Sequence, residues 1–107
     1  TDSRGESSAS IRERVERARE RQRGRFAGRG GLHANADMGV SDIQQFCQLA
    51  PEARQLIEVS VKRLQMSARA YHRVLKLSRT IADLDGRERI EVQHVAEAIQ
   101  YRPKSAF

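Results

Sequence analysis

Residues 67–85 read Ser-Ala-Arg-Ala-Tyr-His-Arg-Val-Leu-Lys-Leu-Ser-Arg-Thr-Ile-Ala-Asp-Leu-Asp, and here the signals for helix start, apolar stripe and helix stop agree. Val74, Leu77, Ile81 and Leu84 recur at helical spacing, and Tyr71, Leu75, Ser78 and Ala82 form the adjoining row, so together they make a wide apolar face. Arg69, Arg73, Lys76, Thr80 and Asp83 fall opposite. Ser67 is a good N-cap, and Gly86 stands where a glycine closes a helix. Arg69 lies in the first turn, where the helix dipole favours anions and a cation loses about 0.3–1 kcal/mol. Two accounts fit that position. Arg69 either pairs with a carboxylate or lies along the surface on its aliphatic stem, or it joins the free first-turn amides in holding an anion.

The same run continues through Gly86-Arg87-Glu88-Arg89-Ile90-Glu91-Val92 and His94-Val95-Ala96-Glu97-Ala98-Ile99-Gln100-Tyr101-Arg102. Together with Ile11-Arg12-Glu13-Arg14-Val15 and Ala18-Arg19-Glu20-Arg21-Gln22, it resembles the C-terminal domain of the magnesium-chelatase-like AAA+ ATPases of the ComM/YifB type. The resemblance is strongest over Ser67–Arg102 and weaker in the glycine-rich middle. It implies an all-α fold, a small four-helix lid bundle that follows a nucleotide-binding α/β core, with a charged, partly helical N-terminal arm. By the same resemblance Arg69 matches the sensor-2 arginine that faces nucleotide phosphate, with Ser67 and Arg73 in support. The implied cofactor is ATP with Mg²⁺ in the intact protein, and none in this chain alone. The implied partners are the nucleotide-binding core of the same chain, neighbouring subunits of a ring, and DNA, since ComM-type members are linked to DNA processing in competence. A lid of a magnesium chelatase subunit proper is the neighbouring reading, suggested by the family's name alone.

Composition bounds these readings. A chain of 107 residues with 32% charged and 38% hydrophobic residues supports one small domain with a polar tail outside its core. The chain begins Thr1-Asp2-Ser3 without methionine, which suggests a piece of something longer. The single cysteine, Cys47, excludes an internal disulfide, and no apolar run approaches the roughly 20 residues that span a bilayer. A reducing, cytoplasmic setting and no membrane contact fit both facts. Residues 1–31 hold nine arginines against five acids, and that third is the basic part.

Thr1–Ser10 offers nothing to bury and reads as disordered. From Ile11 the pattern is helical, with i,i+4 pairs Arg12/Glu16 and Glu13/Arg17, but Ile11, Val15 and Ala18 make a narrow stripe. This helix either docks through Ile11, Val15 and Phe26 or frays. Gly24, Gly28, Gly30 and Gly31 suit a flexible connector, so the division expected is a largely flexible or partly helical arm and linker over 1–31 and a helical domain over 32–107. Ser41-Asp42-Ile43-Gln44 has the capping-box form and starts a short helix. Pro51 opens the next, reaching to about Gln65 and burying Ala53, Leu56, Ile57, Ser60, Val61 and Leu64. The last helix, about Val92 to Tyr101, presents Val92, Val95, Ala96 and Ile99, and Pro103 ends it. No sheet is expected beyond a brief extended turn at Ile90.

Autonomous catalysis finds no support. ATP hydrolysis requires a phosphate loop with its lysine and an acidic residue holding Mg²⁺, and neither motif occurs. His33, His72 and His94 have no ligand spacing with one another or with Cys47, so no metal site is expected. Cys47 falls on an apolar helix side, as a buried inert thiol does. The competing class is a basic nucleic-acid-binding helical module, whose phosphate or interdomain contacts would come from Arg12, Arg19, Arg21 and Arg25. A protein-interaction bundle of unrelated ancestry is the third reading.

Overall fold

A computed structural model describes residues 6–101. It has five α-helices: α1 (Ser8–Arg25), α2 (Val40–Phe46), α3 (Pro51–Arg63), α4 (Ala68–Leu84) and α5 (Val92–Gln100), with a 3-10 turn at Asn35–Asp37. The all-α reading holds. Among the described residues the extended pairing is one isolated parallel bridge, Leu49 to Ile90, closed by Ala50 N to Ile90 O and Ile90 N to Gln48 O, both 2.9 Å. Pro103 lies outside the described residues.

Helix α4 runs through the middle, against α5, α1, α2 and the 3-10 turn. Small side chains at its centre, Ser78 and Ala82, are fully buried, and Ala98 of α5 is too. The Ser78 hydroxyl is satisfied within the helix by Val74 O at 2.8 Å. Ser67 Oγ accepts from Ala70 N at 3.1 Å, and Gly86, at φ +72°, closes the far end with Arg87 N bonded to Ala82 O. Both ends are as expected from sequence. The buried face is wider than expected, because Arg79 and Asp83 are 2% and 1% exposed, whereas Leu84 lies at the rim, 36% exposed.

The arm accounts for that difference. Residues 8–25 form a continuous helix seated on α4, with Ser7 Oγ capping Ser10 N at 3.0 Å. It docks through Ala18, 3% exposed, then Gln22 and Arg25, with Phe26 buried just past its end, while Ile11 stays exposed. Ala18, Gln22 and Arg25 are four and three residues apart, one face of the helix. Two of the three are polar, so a count of apolar residues underrates this face. The expected division at residue 31/32 is therefore not a break in packing. Gly28 and Gly31 take φ of +78° and +85° at the third position of two successive turns, closed by Arg29 N to Phe26 O and Leu32 N to Arg29 O. The glycine segment expected as a connector turns the chain twice and brings Arg29 onto Asp42 and over the Phe46 ring. Phe46 meets Phe26 edge to face at 5.6 Å.

One cap reading shifts and one cap is new. Helix α2 starts at Val40 behind Gly39, whose amide donates to Asp42 Oδ2 at 2.9 Å, so Asp42 rather than Gln44 supplies the return bond. At α5 the Glu91 amide donates to His94 Nδ1 at 2.9 Å, which places the imidazole proton on Nε2, facing Asp85 Oδ2 at 2.8 Å. That second role buries His94 and turns α5 so that Ala98 faces the core and Ala96 faces solvent. The arm pairs differ too: Arg14 meets Glu6 and Arg19 meets Glu16, in place of Arg12/Glu16 and Glu13/Arg17.

One buried carboxylate ties these elements together. Asp83 receives a bidentate pair from Arg25, both contacts 2.8 Å, and Asn35 Nδ2 at 2.9 Å. Asn35 Oδ1 accepts from Arg25 at 2.9 Å, its Nδ2 also reaches Thr80 Oγ1, and its amide donates to Gln22 Oε1 at 2.8 Å. Arg79 Nε sits 3.2 Å from Asp83 Oδ1 as an ion pair without hydrogen-bond alignment, while its terminal nitrogens donate to the carbonyls of Phe46, Glu88 and Arg87. Burial pushes the Arg79 pKa down, and Asp83 pulls it back up.

Two outcomes follow for stability and reactivity. Asp83→Ala strands two guanidiniums in the interior and is expected to lower the unfolding free energy by about 3–5 kcal/mol in urea melts. Arg87→Ala, whose Asp85 partner is 3.8 Å away across an exposed surface, should change it by less than about 1 kcal/mol. Cys47 is 7% exposed, and burial pushes its thiol pKa up to about 11. Iodoacetamide at pH 8.5 should therefore label Cys47 at the rate of chain opening, and urea should accelerate labelling to that of a free thiol. Labelling at the free-thiol rate in native buffer would contradict the burial.

Candidate functional site

The N-terminal end of α4 presents a different chemistry from its buried end. Ser67 caps Ala70, and the first-turn amides at Ala68 and Arg69 have no intrahelical acceptor. Arg69 is exposed, and among the described residues it makes no hydrogen bond or ion pair. Of its two possible fates, the carboxylate partner is not found within the described fold. Arg69 lines a shallow groove together with Arg73, Lys76 and His72, one to two turns further on, and the groove's other wall is Met38, Gly39, Val40 and Ile43. Among the described residues no carboxylate lines it. Lys76 is fixed by donating to Ala36 O at 3.2 Å, which anchors the groove to the 3-10 turn.

Helical geometry places Arg69, Arg73 and Lys76 on one face at steps of four and three residues. Three like charges on one face repel each other, and Arg69, in the first turn, also opposes the helix dipole at its positive end. Lys76 is partly offset by the Ala36 carbonyl and by the nearby Asp37 carboxylate, whereas Arg69 and Arg73 have no partner among the described residues, so the excess positive charge favours an anion in the groove. His72 tilts against Tyr71 at 5.4 Å and is half-buried. Among the described residues no group of three or more His, Cys, Asp or Glu side chains comes together as metal ligands, and no helix is long and apolar enough to cross a membrane.

The four arginines of the arm separate into distinct roles. Arg12 is exposed and unpaired among the described residues, and Arg19 is held by Glu16 at 3.4 Å. Arg21 donates to Gly86 O at 3.4 Å from an otherwise exposed position. Arg25 turns inward to Asp83 with its side chain 13% exposed. Sequence reasoning did not single out Arg79, Asp83 or Asn35. The available signal was the i,i+4 pair Arg79/Asp83 lying beside the row Leu75, Ser78 and Ala82, which puts two opposite charges next to a core face.

Comparison with known proteins agrees over nearly the whole chain. The family model described as magnesium chelatase, subunit ChlI C-terminal, matches residues 5–102. The chain is 44% identical over 102 residues to the competence protein ComM of Haemophilus influenzae, covering 95% of this chain and 19% of that protein. It is 44% identical over 98 residues to the uncharacterized protein YifB of Escherichia coli, covering 92% of this chain and 18% of that one. The Salmonella typhimurium YifB is 39% identical over 100 residues, covering 94% of this chain and 19% of that protein. The chain thus spans about a fifth of the length of these relatives.

Proposed function

The chain belongs to the magnesium chelatase ChlI C-terminal family, as the C-terminal domain of a ComM/YifB-type protein, and from that premise we propose that it is the helical lid of an AAA+ ATPase. In this reading Arg69 presents its guanidinium to nucleotide phosphate. The observation that carries it is the exposed Arg69 at the start of α4, without a partner among the described residues, in a groove with Arg73 and Lys76 and no carboxylate among the described lining residues.

The groove residues fit a phosphate group and do not fit a divalent cation, since they supply donors and no oxygen ligand other than backbone. Mg²⁺ and the phosphate loop therefore belong to the nucleotide-binding core outside this chain, and the α/β core and neighbouring subunits are the partners of this face. ATP bound there supplies the phosphoryl group whose negative charge must be stabilised during hydrolysis. Arg69 is pre-positioned for that work because Ser67 fixes the helix start and the Asp83 network fixes the helix as a rod. A guanidinium aimed at developing charge is worth far more in a closed site than in water. Motion of the lid would bring Arg69 to the phosphates or withdraw it, which couples nucleotide state to the position of the helical domain. The service of this activity in competence is proposed from the name of the Haemophilus relative.

Arg69→Ala in the full-length protein is expected to lower kcat for ATP hydrolysis by about 10²- to 10³-fold. The thermal midpoint of the domain should stay level or rise slightly, because a first-turn cation is removed. Arg73→Ala, on the same groove one turn on, should have the smaller effect on kcat. Normal hydrolysis by Arg69→Ala, or loss in Arg73→Ala alone, would reject the assignment.

A further inference from the structure

At the other end of α4, where α1 meets the loop between α4 and α5, lies a second cationic cleft of about 410 Å³. Its floor is the buried network, in which Arg25 and Arg79 face the single carboxylate Asp83, so two buried cations are balanced by one anion and by carbonyl dipoles. An excess positive charge in a low-dielectric floor projects its field outward into the opening. The rim adds Arg21, Arg87 and Arg89. These three are lightly engaged: Arg21 holds one carbonyl at 3.4 Å, Arg87 stands 3.8 Å from Asp85 at 59% side-chain exposure, and Arg89 has no partner among the described residues. Gln45 and Gln48 supply further amide donors, and Glu88 is the one acidic side chain in the lining.

From these features we infer that the cleft binds the phosphate backbone of a nucleic-acid strand, separately from the Arg69 groove. The donors are guanidiniums and amides, which suit phosphate oxygens. The cationic stripe continues along α1 through Arg17, one turn before Arg21, exposed and unpaired among the described residues, so the surface follows a chain of phosphates rather than one ion. Phe46 is the sole aromatic lining residue and its ring is engaged by Phe26 and Arg29, which leaves no free platform for base stacking and implies binding without sequence preference. An acidic polypeptide would meet the same charges, but the cleft offers it little apolar anchorage.

The test titrates the 107-residue chain against a fluorescent 20-nucleotide single strand over a range of salt, reading anisotropy. Wild type is expected to bind with a steep dependence of log K on log salt. The triple variant Arg21→Gln, Arg87→Gln, Arg89→Gln should bind about tenfold or more weakly and lose about 2 from the slope, since each single-strand phosphate contact contributes about 0.7. A matched triple on α3, Arg54→Gln, Lys62→Gln, Arg63→Gln, removes the same charge and should keep most of the slope. Circular dichroism melts check folding of each variant, and Arg89→Glu, which breaks no contact in the fold, provides a second probe expected to weaken binding. No binding by wild type, equal losses in the two triples, an unchanged slope in the rim triple, or displacement of the strand by poly-glutamate at equal charge concentration would each overturn the inference.

Discussion

Asp83 is a carboxylate with no exposure to water, and the arrangement of the helices around it follows from the need to satisfy it. A lone buried carboxylate is prohibitively costly, so the folded chain must bring donors from elsewhere. Arg25 comes from the end of α1, Asn35 from the 3-10 turn, and Arg79 from the preceding turn of α4. Arg79 in turn grips the carbonyls that end α2 and begin the loop to α5. Five segments distant in sequence thus share one set of hydrogen bonds. Bonds of this kind specify geometry more than they add net stability, because desolvation offsets much of the attraction. The apolar core, from Ile57 through Leu75 to Val95, supplies the general driving force, while the polar network selects where α1 sits.

The division of labour along α4 follows from the same network. In its C-terminal half Ser78, Arg79, Ala82 and Asp83 are buried, and its N-terminal turn carries a cap and, among the described residues, two amides and an arginine without partners. A 17-residue helix is roughly 26 Å long, so whatever acts on Arg69 is transmitted as a displacement of a rigid rod whose far end is embedded in α1 and α5. This is the mechanical property the proposed lid requires.

The sequence was most readable where one physical signal acts alone. Ser67, Gly86 and Pro51 each set a local feature with little tertiary input, and all stand where the pattern put them. It was least readable where a polar residue takes an apolar residue's place. Gln22, Asn35 and Asp83 look like surface residues by type, and only their mutual hydrogen bonds make burial tolerable, so the docking face of α1 was hidden. The same holds for Asp42, which caps its helix two residues before the Gln44 that the local rule favoured, and for His94, whose capping role no local pattern marked. Of the candidate site, position and family resemblance marked Arg69, but the company it keeps, Lys76 anchored to Ala36 40 residues away and the wall at Met38–Ile43, depends on packing between segments distant in sequence.

Native-state hydrogen exchange tests the central claim most directly, because it reports whether α1 and the bundle are one cooperative unit. If the Asp83 network binds the arm into the fold, the amides from about Ala18 to Arg25 should exchange with a free energy of opening equal, within about 1 kcal/mol, to that of the α4 core amides around Ser78–Ala82, and both should shift together in urea. Exchange of the Ala18–Arg25 amides through a separate opening several kcal/mol below the global value, insensitive to urea, would show that the arm folds apart from the bundle and would contradict the account.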